Sequence, residues 1–284
     1  MKRVLTNLLL VLIFLTGLAI MSYPLVSNQF NLYRASLLIN DYEVKTETLT
    51  EEDYTEIFDA CDEYNSELVG GEVPDVFSVH TEEASPEYMA LLNMEDDGIM
   101  GTIEIPKIGI RLPIYHTTFD DVLQNGVGHM EGSSLPVGGA STHCVLAGHR
   151  GLPSAKLFTD LDQIEEGDFF SLHVLNRTMF YQVDQILIVE PVETESLAIE
   201  EGEDYVTLVT CTPYGINTHR MLVRGKRVFP EDVPEAWSLV RGAAQTSWLL
   251  PVAVFAIVPM LMGLLFYAIF NHRENKRARR ERLR

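Results

Sequence analysis

The chain has 284 residues, 46% of them hydrophobic and 22% charged, which suits a globular domain with extensions and argues against a fibrous or wholly disordered chain. Its net charge of −20 is uneven: residues 272–284 carry +5 and Lys2 with Arg3 carry +2, leaving −27 between them. Such an acidic middle repels phosphate backbones and argues against a nucleic-acid partner.

In chain order, Lys2 and Arg3 precede an apolar run from Leu8 to Met21, extendable to Val4 and Val26. This predicts a transmembrane signal anchor over residues 1–26. A cleaved signal peptide is the alternative, but Ala19-Ile-Met-Ser-Tyr-Pro is a poor small-x-small cleavage site. Residues 27–97 read as helical and irregular. Thr50-Glu-Glu-Asp resembles a capping box, and after it Tyr54, Ile57, Phe58, Cys61, Tyr64 and Leu68 recur at helical spacing. Cys61 lies on that stripe and reads as a packing residue. Gly70-Gly71 is placed to end the helix, Glu72 to His80 shows no periodicity, and Pro86 to Met94 predicts one more short helix.

From Gly98 the pattern becomes β. Ile103 and Ile105 alternate with polar residues, and Ile108, Ile110, Leu112 and Ile114 alternate in the opposite phase. The slip at Pro106-Lys107 predicts a turn or bulge between two strand segments. Further strands are expected at 142–147, 169–175, 179–189, 205–211 and 220–229, with a hairpin turn near Asn176-Arg177-Thr178. A single helix is expected over 153–164, with Leu157, Phe158, Leu161 and Ile164 on one face and Gly167 beyond it. Several short strands with one intervening helix imply a mainly β, closed or nearly closed barrel over residues 98–232. A linker over 233–247 then leads to an uncharged run from Trp248 to Phe270, long enough for a second transmembrane helix over 248–271. The basic tail 272–284 and the basic N-terminus predict that both ends are cytoplasmic and the barrel lies outside.

The chemistry centres on three side chains. Alternation puts Tyr205, Thr207, Val209 and Cys211 on one face of a strand, with Cys211 last before the loop 212–219. Arg220 opens the next strand. If the two pair antiparallel, Cys211 and Arg220 face each other across the loop, and the guanidinium favours a thiolate and can serve an oxyanion. A buried thiol beside an arginine in a surface ion pair would leave the same pattern. Among eight histidines, His149 has the most suggestive setting, at the end of the apolar strand Thr142-His-Cys-Val-Leu-Ala and flanked by Gly148 and, after Arg150, Gly151. His143 and Cys144 read as structural; His116, His129, His173, His80 and His272 lack such a setting. With Cys61, Cys144 and Cys211 the cysteines show no CxxC pair, and no HExxH spacing occurs, so a metal site is weakly supported and no cofactor is expected.

Thr207-Leu-Val-Thr-Cys211 resembles the TLxTC signature of sortases, the cysteine transpeptidases of Gram-positive cell surfaces. Cys211-Thr-Pro-Tyr-Gly-Ile-Asn-Thr-His-Arg220, Gly101-Thr-Ile-Glu-Ile-Pro-Lys107, Leu112-Pro-Ile-Tyr-His116 and Leu146-Ala-Gly-His-Arg-Gly151 are similar to the class C, pilin-polymerising branch. The resemblance implies an eight-stranded barrel with Cys211 as nucleophile, His149 as general acid and base, and Arg220 as stabiliser of the oxyanion and substrate. It implies an LPxTG-like sorting signal on pilins or surface proteins as donor and a pilin Lys amine as acceptor, joined by an isopeptide bond. Thr210, Thr212 and His219, which adjoin Cys211 and Arg220, are expected to line the substrate groove. Pro74-Asp75-Val76-Phe77 resembles the lid motif of that branch, with Val for its middle Pro, which makes Asp75 and Phe77 candidate lid residues. Attachment of surface proteins to peptidoglycan, and an inactive adhesion or scaffold module, are the competing readings.

Overall fold

The structure, a computed structural model, describes residues 2–68, 84–94, 97–233 and 263. The chain divides into two compact units, residues 1–29 with 246–284, and residues 30–245. Helix α1 runs from Lys2 to Thr46, so the predicted anchor continues well past residue 26. Within it Leu9–Thr46 is long and apolar enough to cross a membrane, and its most apolar window has no buried residue. The second predicted span, like Asp75 and Phe77, lies outside the described residues apart from Gly263.

In the larger unit, the last turns of α1 bury Ala35, Ile39, Tyr42 and Thr46, a stripe at helical spacing. Tyr42 ties this stripe to the barrel: its hydroxyl donates to the Met100 carbonyl at 3.1 Å and accepts from the Leu175 N–H at 2.9 Å. Helix α2 (Glu51–Glu67) starts at the expected capping box, with Thr50 and Asp53 exchanging side-chain and backbone bonds. It buries Tyr54, Phe58 and Cys61, and the Arg177 guanidinium lies 3.4 Å from the Phe58 ring centroid. A short helix, α3 (Pro86–Ala90), follows; Tyr88 on it is fully buried.

Eight strands form a closed barrel: β1 (Ile99–Ile105), β2 (Ile110–His116), β3 (Val127–His129), β4 (Thr142–Ala147), β5 (Phe169–Val174), β6 (Arg177–Val189), β7 (Asp204–Thr212) and β8 (His219–Val228). Their order around the barrel is β1-β2-β3-β4-β7-β8-β6-β5. The phase slip at Pro106-Lys107 is a 3-10 turn, Pro106–Ile108, between antiparallel β1 and β2. Closure needs the short strand β3, parallel to β2 and antiparallel to β4, and this piece has no periodic signal in the sequence.

Residues 153–164 do not form the expected helix. They fold as turns with a 3-10 segment, Leu161–Gln163, and Leu157 takes a positive φ of 39° that no helix tolerates. Leu157, Phe158, Leu161 and Ile164 are nevertheless all buried, so the apolar spacing reports insertion into the core rather than helical periodicity. Two core clusters result. The larger holds Val206, Leu208, Met221 and Val223; the smaller holds Val145, Ala147, Val209 and Leu222, with Leu123 from the short helix α4 (Asp120–Leu123) over it.

Candidate active site

Three strands converge on the site. β7 and β8 pair antiparallel with Cys211 opposite Arg220, as the sequence expectation required. The Arg220 Nη1 donates to Cys211 Sγ at 3.5 Å, so a fixed positive charge sits against the sulfur of a half-buried side chain. β4 and β7 run parallel, with Cys144 opposite Val206 and Ala147 opposite Val209. Carried two residues further, that register sets His149 beside Cys211. Alternation along β7 and β8 puts Cys211 and Arg220 on the face of the smaller cluster, with Val209 and Leu222. The ends of three neighbouring strands thus bring an imidazole-, a thiol- and a guanidinium-bearing residue to one end of the barrel.

The His149 backbone is tied on every side. Gly148 N–H donates to the Val209 carbonyl at 3.0 Å, and the His149 carbonyl accepts from the Phe158 N–H at 3.2 Å. The Thr210 hydroxyl donates to the Gly148 carbonyl at 2.7 Å, Arg150 Nη1 donates to Thr212 Oγ1 at 3.1 Å, and the Gly151 N–H donates to Thr159 Oγ1 at 3.1 Å. Thr210 and Thr212, expected to line the substrate groove, are buried, and their hydroxyls tie the two segments together. His219 is half-buried, opposite Thr212, with its Nδ1 2.9 Å from the Thr218 hydroxyl. The flanking glycines serve packing: a Cβ on Gly148 would stand 2.6 Å from the Phe158 ring, and Gly151, at φ 83°, lies under the Tyr214 ring.

Burial lowers the proton affinity of His149, and the carboxylate of Asp120 at the start of α4 opposes that effect. An imidazolium in such a setting gives up its proton readily, a useful property for a general acid. The other candidates separate cleanly. Burial pushes the Cys61 thiol up to about 12 and raises Cys144 as well, so neither is a competing nucleophile at neutral pH. His143 is buried between the Ala198 carbonyl, 2.9 Å from Nδ1, and Thr207 Oγ1, 2.7 Å from Nε2. His129 is fully buried, with Nε2 2.9 Å from the Ser134 carbonyl and Nδ1 2.8 Å from the Tyr88 hydroxyl. No group of three or more His, Cys, Asp or Glu suited to a metal occurs among the described residues.

A sequence profile of the sortase domain matches residues 103–228, the stretch that holds all three side chains. The solved sortase C1 of Streptococcus agalactiae is 48% identical, with a TM-score of 0.62, and the match covers 68% of this chain and 98% of that one. The chain belongs to the sortase family. The sortase C of Streptococcus pneumoniae is 44% identical at a TM-score of 0.64, covering 68% of this sortase and 96% of that chain, so its solved neighbours fall in class C. Sortase D of Bacillus subtilis (strain 168) is 32% identical over 131 residues, which are 45% of this sortase and 63% of that protein's length. Two residues of this sortase that were not candidates from the sequence bear on the site: Arg150, bonded to Thr212 and legible only as part of the Leu146–Gly151 motif, and Asp120, whose charge acts on His149.

Proposed function

We propose that this sortase is a membrane-anchored transpeptidase that polymerises pilin subunits. The observation that carries the reading is the Arg220 guanidinium 3.5 Å from Cys211 Sγ, with His149 just past the end of the neighbouring strand β4. The Cys211 thiolate attacks the Thr carbonyl of an LPxTG-like sorting signal, forming a C–S bond and an oxyanion that Arg220 stabilises. Collapse breaks the Thr–Gly C–N bond, and His149 protonates the departing Gly amine. A pilin Lys amine then attacks the thioacyl carbon, His149 takes its proton, and the C–S bond breaks to return the thiolate. The product is an isopeptide bond. Tyr214 and Ile216 on the β7–β8 loop, which joins Cys211 to Arg220, are exposed apolar groups suited to the Leu-Pro part of such a signal. The Streptococcus pneumoniae relative has been analysed for its pilin substrate specificity, which supports a pilin as substrate here.

Anchoring by α1, a second span over 248–271 and cytoplasmic termini belong to the same proposal, supported by the length and apolarity of Leu9–Thr46 and by the flanking basic residues. Cells carrying only Cys211→Ala should lose high-molecular-weight pilin ladders and any thioacyl adduct. Ladders that persist unchanged sink the enzyme reading, and monomers fixed to peptidoglycan instead of ladders would turn the assignment to wall anchoring. Asp75 and Phe77 complete the proposal as the lid that the class C resemblance implies, a role in which the acid would pair with Arg220 and the ring would cover Cys211. Phe77→Ala or Asp75→Ala is then expected to raise the alkylation rate of Cys211 several-fold, and an unchanged rate removes the lid.

A further inference from the structure

Arg150 stands between the catalytic histidine and Gly151, and the transfer reaction gives it no task. Its side chain is only 9% exposed. Nη1 donates to Thr212 Oγ1 at 3.1 Å, Nη2 is ion-paired with Asp162, and Nε is buried without an acceptor among the described residues. Stability is a weak account of such a group: its partner Asp162 is 48% exposed, an ion pair so open to solvent contributes little, and a buried donor without an acceptor adds a cost.

Position does account for it. The β4–β7 ladder ends at Ala147 opposite Val209, and one more backbone bond joins Gly148 to Val209. Beyond that point the two segments are held by side chains. Thr210 ties to Gly148, and Thr212 ties to Arg150. These two bonds bracket the His149 and Cys211 pair, one on each side of it in both segments. Asp162 anchors the far end of the guanidinium, and it sits on the 3-10 segment whose Leu161 is fully buried. The guanidinium therefore connects three segments: the residue after the histidine, the residue after the nucleophile, and a rigid turn of the core. A planar fork with separate donors can make both connections at once, which a lysine ammonium on a flexible stem cannot do with fixed geometry.

We propose that Arg150 is a positioning residue: braced by Asp162 and bonded to Thr212, it sets the distance and orientation between His149 and Cys211. The inference rests on the transpeptidase reading for the meaning of that distance. A displacement of about 1 Å in such a pair costs on the order of 100-fold in rate while leaving substrate contacts in place.

The test uses the full chain in detergent micelles, with two readouts. The first is turnover of an LPxTG-type peptide with an amine acceptor, normalised to folded protein. The second is the pH profile of Cys211 alkylation by iodoacetamide, followed by mass spectrometry, which needs no peptide. Arg150→Met and Thr212→Val are expected to lower kcat by about 10- to 100-fold with KM unchanged, and to move the inflection of the alkylation profile. Thr212→Ser keeps the hydroxyl and should restore both. Wild-type kcat and a wild-type profile in Thr212→Val overturn the proposal, as does a loss that disappears on normalisation. If Arg150→Met does not fold, Thr212→Val decides, because it leaves the Arg150–Asp162 pair intact. If the wild-type chain fails to turn over the peptide, the transpeptidase reading fails, and the alkylation profile alone still supports or overturns the positioning role.

Discussion

Gly148 shows at the scale of a single residue how tightly the histidine is held. A Cβ there would lie 2.6 Å from Cδ2 and 2.8 Å from Cγ of Phe158, a ring that is fully buried and has no free direction to yield. Gly148→Ala is therefore expected to cost about 1–3 kcal/mol as an overpacked core substitution, read as a lower denaturant midpoint. Because the Phe158 N–H is bonded to the His149 carbonyl, the same change should lower kcat beyond the loss of folded protein. The sequence marks this glycine as a place of close approach but does not say what approaches. The three thiols are sorted at this scale too. All three carry the same chemistry; the two that the core encloses are raised by burial, and the one at a strand end faces a guanidinium.

Among the elements, those with a full periodic signature are legible from the chain. Helix α2 has both its cap and its stripe, and β7 and β8 have alternation bounded by a loop. The capping box can be measured directly. Thr50→Ala removes the acceptor of the Asp53 N–H, 3.2 Å away, and is expected to cost about 1 kcal/mol. In a domain of this size that lowers Tm by about 2–4 °C, checked by a thermal melt. Elements with too few residues for a period are not legible. β3 has three residues and α4 has four, and each exists because its neighbours supply the bonds and the burial. Residues 153–164 fail in the opposite way. Their apolar spacing mimics a helix, but turns fixed by the Phe158 and Leu161 backbone bonds bury the same side chains.

The whole molecule carries a pH dependence in its buried histidines. Burial pushes His129 down to about 3 and lowers His116 and His143, against an ordinary value of about 6.5. Protons therefore bind the unfolded chain and not the folded one over that interval. Stability is full above about pH 6.5 and falls as the pH drops toward 3, by up to about 1.4 kcal/mol per pH unit from His129 alone. Urea unfolding at pH 7.5 and pH 5.5 should show this loss. His129→Gln keeps a donor for the Ser134 carbonyl and an acceptor for Tyr88, and should give a shallower slope between the two conditions. An equal slope in the variant would place the dependence elsewhere.

What the sequence by itself determined is local: hydrophobic length for an anchor, period two for the strands, a cap for α2, and a thiol and a guanidinium set to meet because a short loop joins antiparallel strands. Each of these follows from neighbours within about ten residues, where chain geometry leaves few alternatives. The tertiary structure alone decided what depends on distant pairing. The parallel register of β4 with β7 brings Ala147 opposite Val209 and so the segments that lead to His149 and Cys211 together, and no spacing in the chain encodes a parallel contact across that interval. The same register gives Thr210 and Thr212 their partners and turns Arg150 from a residue next to a histidine into a tie to the residue after Cys211. Barrel closure supplies the reason: once β3 joins β2 to β4 and β6 joins β5 to β8, every strand has two fixed neighbours, and the site has one arrangement open to it.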